Sequence, residues 1–264
     1  MEYNDTKLIV FLKTFSPEEL SEFEKFLTVP YFRRERDLLP FLKTLKKYYP
    51  EFSGNDFSKE NIFRSLYPDS DYSDKKSDTT LRTLSSYLTT AAEEFLFISR
   101  IRKNKILKNR IFLEELLDRN LTKYYEQYIS DAYNDLKFSE DEDGSNGLEN
   151  FYLERLNTRY YSIMLDFKEM FRHNFKSVEM ISGYFWIDLL RTAKTKYLAE
   201  RHGNIKPEAN TIDNILENTD MEKILETYRN TSRYIYLAFN YYSLKCLTGG
   251  IDLDYYKKAK KSFF

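Results

Sequence analysis

Residues 221–246 read MEKILETYRNTSRYIYLAFNYYSLKC. Met221, Leu225, Tyr228, Ser232, Ile235, Phe239, Tyr242 and Cys246 follow one another in steps of four and three without a slip. Steps of that size place side chains on one face of an α-helix, whereas a strand would alternate in twos. Tyr234, Ala238 and Tyr241 widen the apolar stripe beyond a coiled-coil seam, so the stretch predicts a helix packed in a bundle or solenoid. Gly249 and Gly250 stop it, and Asp252 can cap a last helix through Tyr255, Tyr256, Ala259 and Phe263.

The same spacing extends outward in both directions. Toward the N-terminus, Leu148, Tyr152, Leu156, Tyr160, Ile163, Phe167 and Met170 predict one helix, and Leu121, Tyr125, Tyr128, Ala132 and Leu136 another. Between them lies an acidic, glycine-containing linker from Glu140 to Gly147. A helix over about 178–202 is apolar on two sides, with Ile181, Phe185 and Leu189 beside Tyr184, Ile187 and Leu190, as expected of a helix held between neighbours. The first 68 residues contain five of the six prolines (17, 30, 40, 50 and 68) and read as short, punctuated helices near 6–15, 17–29, 38–49 and 59–66. Ser16, Pro17 and Glu19 form a capping-box signature and Ser58 a second N-cap. A long helix follows through Leu81, Leu84, Leu88, Ala91, Phe95 and Ile98. No β-strand pattern occurs, and six of the seven glycines fall in expected loops, Gly183 being the exception.

The expected architecture is therefore all-α: a small helical module over residues 1–100, then antiparallel helical hairpins over 101–264 forming an α-solenoid or an irregular bundle. The stretch Tyr236–Tyr242 with Tyr255–Ala259 resembles a degenerate tetratricopeptide-type hairpin, although the helix lengths do not keep a strict period. Phe263 and Phe264 end the chain inside an expected helix, where a solenoid ordinarily carries a polar cap. The expectation is a fragment of a longer solenoid, or an end covered by another subunit. Phe15-Ser16-Pro17-Glu18-Glu19-Leu20, Phe23, Phe26-Leu27, Pro30-Tyr31-Phe32, Ile62-Phe63 and Leu66-Tyr67-Pro68 resemble the opening of uncharacterised helical proteins of Bacteroidota. That resemblance covers about the first 100 residues and implies a bacterial, cytoplasmic, helical protein with no activity to carry over.

Composition narrows the function classes. The chain has 264 residues, 41 basic and 42 acidic, for a formal charge of −1. Mean hydropathy is −0.63, because 23 Tyr, 21 Phe and one Trp carry much of the apolar content. Near-neutrality gives no long-range attraction to nucleic acid or anionic membrane. No apolar run reaches the ~20 residues that span a bilayer, and Met1–Asp5 lack the pattern of a signal peptide. A cytoplasmic protein is expected. The single cysteine, Cys246, allows no internal disulfide and continues an apolar stripe, so core packing is its expected role.

Catalytic and metal chemistry find little to build on. Of two histidines, His202 precedes Gly203 at a helix end, a capping position, and His173 lies at an expected helix junction. No His/Cys zinc spacing, Glu-x-x-His pair or phosphate-cradling glycine loop is present. Paired acids such as Glu93–Glu94 and Glu114–Glu115 read as solvated helix faces. No catalytic residue, metal site or cofactor is expected, and the chain reads as a non-enzymatic module that binds a protein partner or itself. The alternative is a nucleic-acid-associated regulator using Arg100, Arg102, Lys103, Lys105, Lys108 and Arg110, six basic residues with no acid between them. The acidic run Glu140–Asp143 would be their intramolecular partner in the blander reading. Rings left on the surface of a solenoid would form a peptide groove.

Overall fold

The computed structural model describes residues 6–29, 36–138, 146–203, 211–249 and 253–263. Among them the regular structure is all helical, with thirteen helices and no strand. No helix among these residues is long and apolar enough to cross a membrane. Pro30–Phe32, the Glu140–Asp143 run, Pro207, Gly250, Asp252 and Phe264 lie outside the described residues. The chain divides into two compact units, Met1–Asn104 and Lys105–Phe264.

Unit 1 contains α1 (Lys7–Thr14), α2 (Pro17–Thr28), α3 (Leu39–Lys46), α4 (Lys59–Leu66) and α5 (Asp74–Lys103). Pro17 opens α2 at a position where the missing N–H costs nothing. The Ser16 Oγ accepts from the Glu19 N–H and the Glu19 carboxylate accepts from the Ser16 N–H, each at 3.1 Å, closing a capping box. That backbone N–H, with Lys103 beside it, holds the Glu19 carboxyl below the usual range. Ser58 caps α4 through the Asn61 N–H. The core gathers rings from three places in the chain. Phe23 lies 5.6 Å from Phe15 and 5.2 Å from Phe95, and Phe26 lies 5.7 Å from Phe95. The third helix is shorter than its periodicity predicts: the chain leaves α3 after Lys46, and Tyr49 instead donates its hydroxyl to the Phe15 carbonyl.

Unit 2 contains α6 (Lys105–Asp118), α7 (Thr122–Phe138), α8 (Asn146–Ile163), α9 (Phe167–Gly203), α10 (Thr211–Glu217), α11 (Met221–Tyr228), α12 (Arg233–Thr248) and α13 (Leu253–Phe263). The pairs α6–α7, α8–α9 and α12–α13 pack as hairpins. Leu113, Leu116, Leu117, Tyr125, Ala132, Leu136 and Tyr160 form one apolar cluster. Ile187, Leu190, Leu225, Tyr228, Leu237, Ala238 and Tyr241 form another. Helix α9, roughly 55 Å long at 1.5 Å per residue, lies against α8 with one part and α12 with another.

Four sequence expectations change in unit 2. The stripe over 148–170 is two helices, because the chain turns at Leu165, whose φ is +58°. The Asp166 N–H bonds the Tyr161 carbonyl and the Leu165 N–H that of Ser162, the two bonds of a Schellman turn. Asp166 then caps α9 through the Glu169 N–H. The stretch over 221–246 is also two helices. Thr231 donates its hydroxyl to the Tyr228 carbonyl and ends α11, and Arg229–Ser232 form the turn before α12. The buried face shifts there, so Ile235 is exposed while Leu237 and Ala238 are buried. Finally, the helix expected over 178–202 begins at Phe167, which places His173 inside a helix rather than at a junction. Leu121 and Tyr128, expected in a buried stripe, are exposed.

A leucine in the left-handed region costs about 1–2 kcal/mol relative to glycine, and Leu165 recovers little by burial because it is 72% exposed. Leu165→Gly is therefore expected to stabilise unit 2 by about 1 kcal/mol. Urea unfolding of the two proteins side by side measures it, and a destabilised variant would refute the turn.

Candidate functional site

Two places in unit 2 gather polar or charged groups against apolar walls. The first is sealed. Glu154, on α8, is 1% exposed and stands between α7 and α9. Its carboxylate accepts from the Tyr133 hydroxyl (2.8 Å), the Lys176 ammonium (2.6 Å) and His173 Nδ1 (2.6 Å). A carboxylate only accepts and a guanidinium only donates. His173 therefore carries its proton on Nδ1, and Nε2 accepts from Arg172 at 3.2 Å. The chain of bonds continues from Asn157 Nδ2 to the Tyr133 hydroxyl and from the Tyr125 hydroxyl to Asn157 Oδ1, both 2.9 Å. Tyr161 stacks on the His173 ring at 5.2 Å.

Burial pushes the Glu154 carboxyl up, but hydrogen bonds from Lys176, His173 and Tyr133 together outweigh it and hold the group below the usual carboxylate range. Burial, with Glu154 nearby, raises the Tyr133 phenol well above its ordinary value, and burial with the neighbouring phenols does the same for Tyr125. The buried carboxylate is engaged by three donors from its own neighbours, one hydroxyl, one ammonium and one imidazole N–H, and is closed to a substrate by its burial. This cluster pins three helices together. Sequence reasoning reads His173 as structural but misses Glu154 and Tyr161, its partners on α8, which share no local motif with it.

The second place is open. Arg191, Lys194 and Leu198 of α9, Phe239 and Cys246 of α12, and Tyr256 and Lys260 of α13 line a groove of about 710 Å³. Its wall is mostly apolar, and all three charged residues on it are cationic. Lys194 extends over the Phe239 ring, 5.2 Å from its centre. Burial, with Arg191 adding like-charge repulsion, lowers the Lys194 ammonium from its ordinary value. Cys246, expected in the core, is only partly buried and faces this groove.

The basic segment singled out by sequence is divided between the units: Arg100, Arg102 and Lys103 end α5, and Lys105, Lys108 and Arg110 lie in α6. Lys103 pairs with Glu19 at 3.1 Å. Lys105 pairs with Asp135 at 2.6 Å and holds that carboxyl below its usual range. Arg110 reaches Glu149 at 3.2 Å and stacks 4.3 Å over the Tyr152 ring. Arg100, Arg102 and Lys108 are exposed. Three of the six charges are thus already matched within their own units, each by an acid remote in sequence.

Among the described residues no group of three or more His, Cys, Asp or Glu side chains is placed to hold a metal ion. No protein-family model matches the chain, and neither a curated protein nor a solved structure matches it.

Proposed function

We propose that the protein is a non-enzymatic interaction module whose α9–α12–α13 groove holds an acidic, apolar-anchored segment of a partner protein. The observation that carries this reading is the combination of an apolar trough with an all-cationic set of charged residues, Arg191, Lys194 and Lys260. A bulky apolar side chain seated there gains about 1.5–3 kcal/mol by burial. An acidic group beside it relieves the repulsion between Lys194 and Arg191. Hairpins packed side by side, as in tetratricopeptide-type solenoids, suit such recognition, and a bacterial cytoplasmic setting accords with the resemblance carried by residues 15–68.

Labelled peptides that alternate Glu or Asp with Leu or Phe at helical spacing test this by fluorescence anisotropy. Saturable binding is expected, weakened about tenfold or more by the double change Lys194→Glu and Lys260→Glu. Alkylation of Cys246, the single cysteine, should slow when the groove is filled. Equal binding of basic and acidic peptides would defeat the reading, as would a groove that takes fatty acids and no peptide.

A further inference from the structure

Opposite its buried side, α9 carries a second apolar surface that no part of the fold described above uses. Phe167, Phe171, Phe175 and Val178 fall within about an 80° arc at 100° per residue, and each is between 50% and 70% exposed. The Phe171 and Phe175 rings stack on each other, 6.3 Å apart. At the α8–α9 turn, Met164 and Leu165, next to Phe167 in the chain, are 51% and 72% exposed. With aromatic side chains of roughly 150–250 Å² each, the surface offers on the order of 700 Å² of apolar area. The largest patch on a typical monomer is about 300–600 Å², and a standard stable interface takes about 800 Å² from each partner.

The charges on its edge indicate what covers it. Lys168 and Glu179 lie on the same side of the stripe, both exposed, and about 16 Å apart along the helix at 1.5 Å per residue. They are too distant to pair within one chain. Two copies of α9 laid antiparallel about a two-fold axis near residue 173 bring Lys168 of each against Glu179 of the other. The same register sets Phe171 against Phe175 and Phe167 against Val178. A patch that matches itself in shape and charge under one rotation is what an isologous dimer requires.

We infer that this protein forms a homodimer in which the exposed Phe167–Val178 face of α9 packs antiparallel on its counterpart in a second copy. This inference does not rest on the groove reading.

The test is sedimentation velocity of the full chain, with circular dichroism confirming that each variant is folded. The natural chain is expected to be a dimer at micromolar concentration, and Phe175→Glu is expected to weaken it by about a hundredfold or more. Lys168→Glu and Glu179→Lys each place like charges opposite one another in two symmetric contacts, and each alone should weaken the dimer about tenfold. Mixing these two variants creates two matched contacts and is expected to restore dimerisation between them. A chain that stays monomeric at about 100 μM, a hundredfold above the concentration at which the dimer is expected, overturns the inference. So does a dimer indifferent to Phe175→Glu, and so does a mixture that fails to recover.

Discussion

Glu154→Gln is expected to destabilise unit 2 by about 3 kcal/mol, at the lower end of the range for breaking a buried, hydrogen-bonded charge cluster. An amide has one oxygen to offer where the carboxylate has two. Tyr133, Lys176 and His173 all donate to Glu154. At least one of them would then face an NH2 group, and an unsatisfied buried donor costs about 1–3 kcal/mol. Lys176 can turn to solvent, which keeps the loss from being larger. The pH dependence has a definite sign. The folded-state pKa of Glu154 is lowered, so its contribution is fully present above the ordinary carboxylate value, near 4.3 in an unfolded chain, and disappears as pH falls through the folded value. Natural and variant chains should therefore converge in stability in acid and differ most near neutrality. Urea midpoints at a series of pH values measure this, and a difference that grows in acid would contradict the assignment.

Phe23→Ala is expected to cost unit 1 about 3–5 kcal/mol, through lost burial and the cavity it leaves. The ring is 0% exposed and touches Phe15, Phe26 and Phe95, so neighbours drawn from α2, α5 and the turn between α1 and α2 would all have to move to fill the gap. A unit of this size has a total stability of about 5–15 kcal/mol, which leaves the variant near its unfolding threshold. Hydrogen exchange of the α2 and α5 amides reads the loss directly. A change below about 1 kcal/mol would mean that the ring cluster does not hold the unit together.

What the chain reveals on reading depends on whether a signal is local. Ser16, Pro17 and Glu19 are three neighbours acting on one backbone turn, and the helix start they mark is where the structure has it. The all-helical class follows from spacing repeated along the chain. Helix ends are harder to read, because proline and glycine mark only some of them. The α6–α7 and α8–α9 turns close instead on Asn120 and Leu165 in the left-handed region, and Leu165 has no compositional mark. The break between α11 and α12 is hidden in the spacing, because a four-residue turn advances the count by one step of the same stripe. Gly183 is the reverse case: its place inside a helix makes sense only in three dimensions, where a Cβ would come 2.5 Å from the Arg233 side chain. The groove and the Glu154 cluster each draw on three helices, and no window of sequence contains them. Phe167 reads as one more member of the stripe over 148–170, yet it is exposed, because spacing alone does not tell an inward face from an outward one.

The reach of α9 has a consequence for how unit 2 opens. Stacked repeats come apart from their ends, since each one leans only on the next. In unit 2 the same rod holds the Glu154 cluster through His173 and the second apolar cluster through Ile187 and Leu190. Both parts therefore share one helix as a wall. An opening of that rod would take both clusters' walls with it, which ties the two ends of unit 2 to one helix.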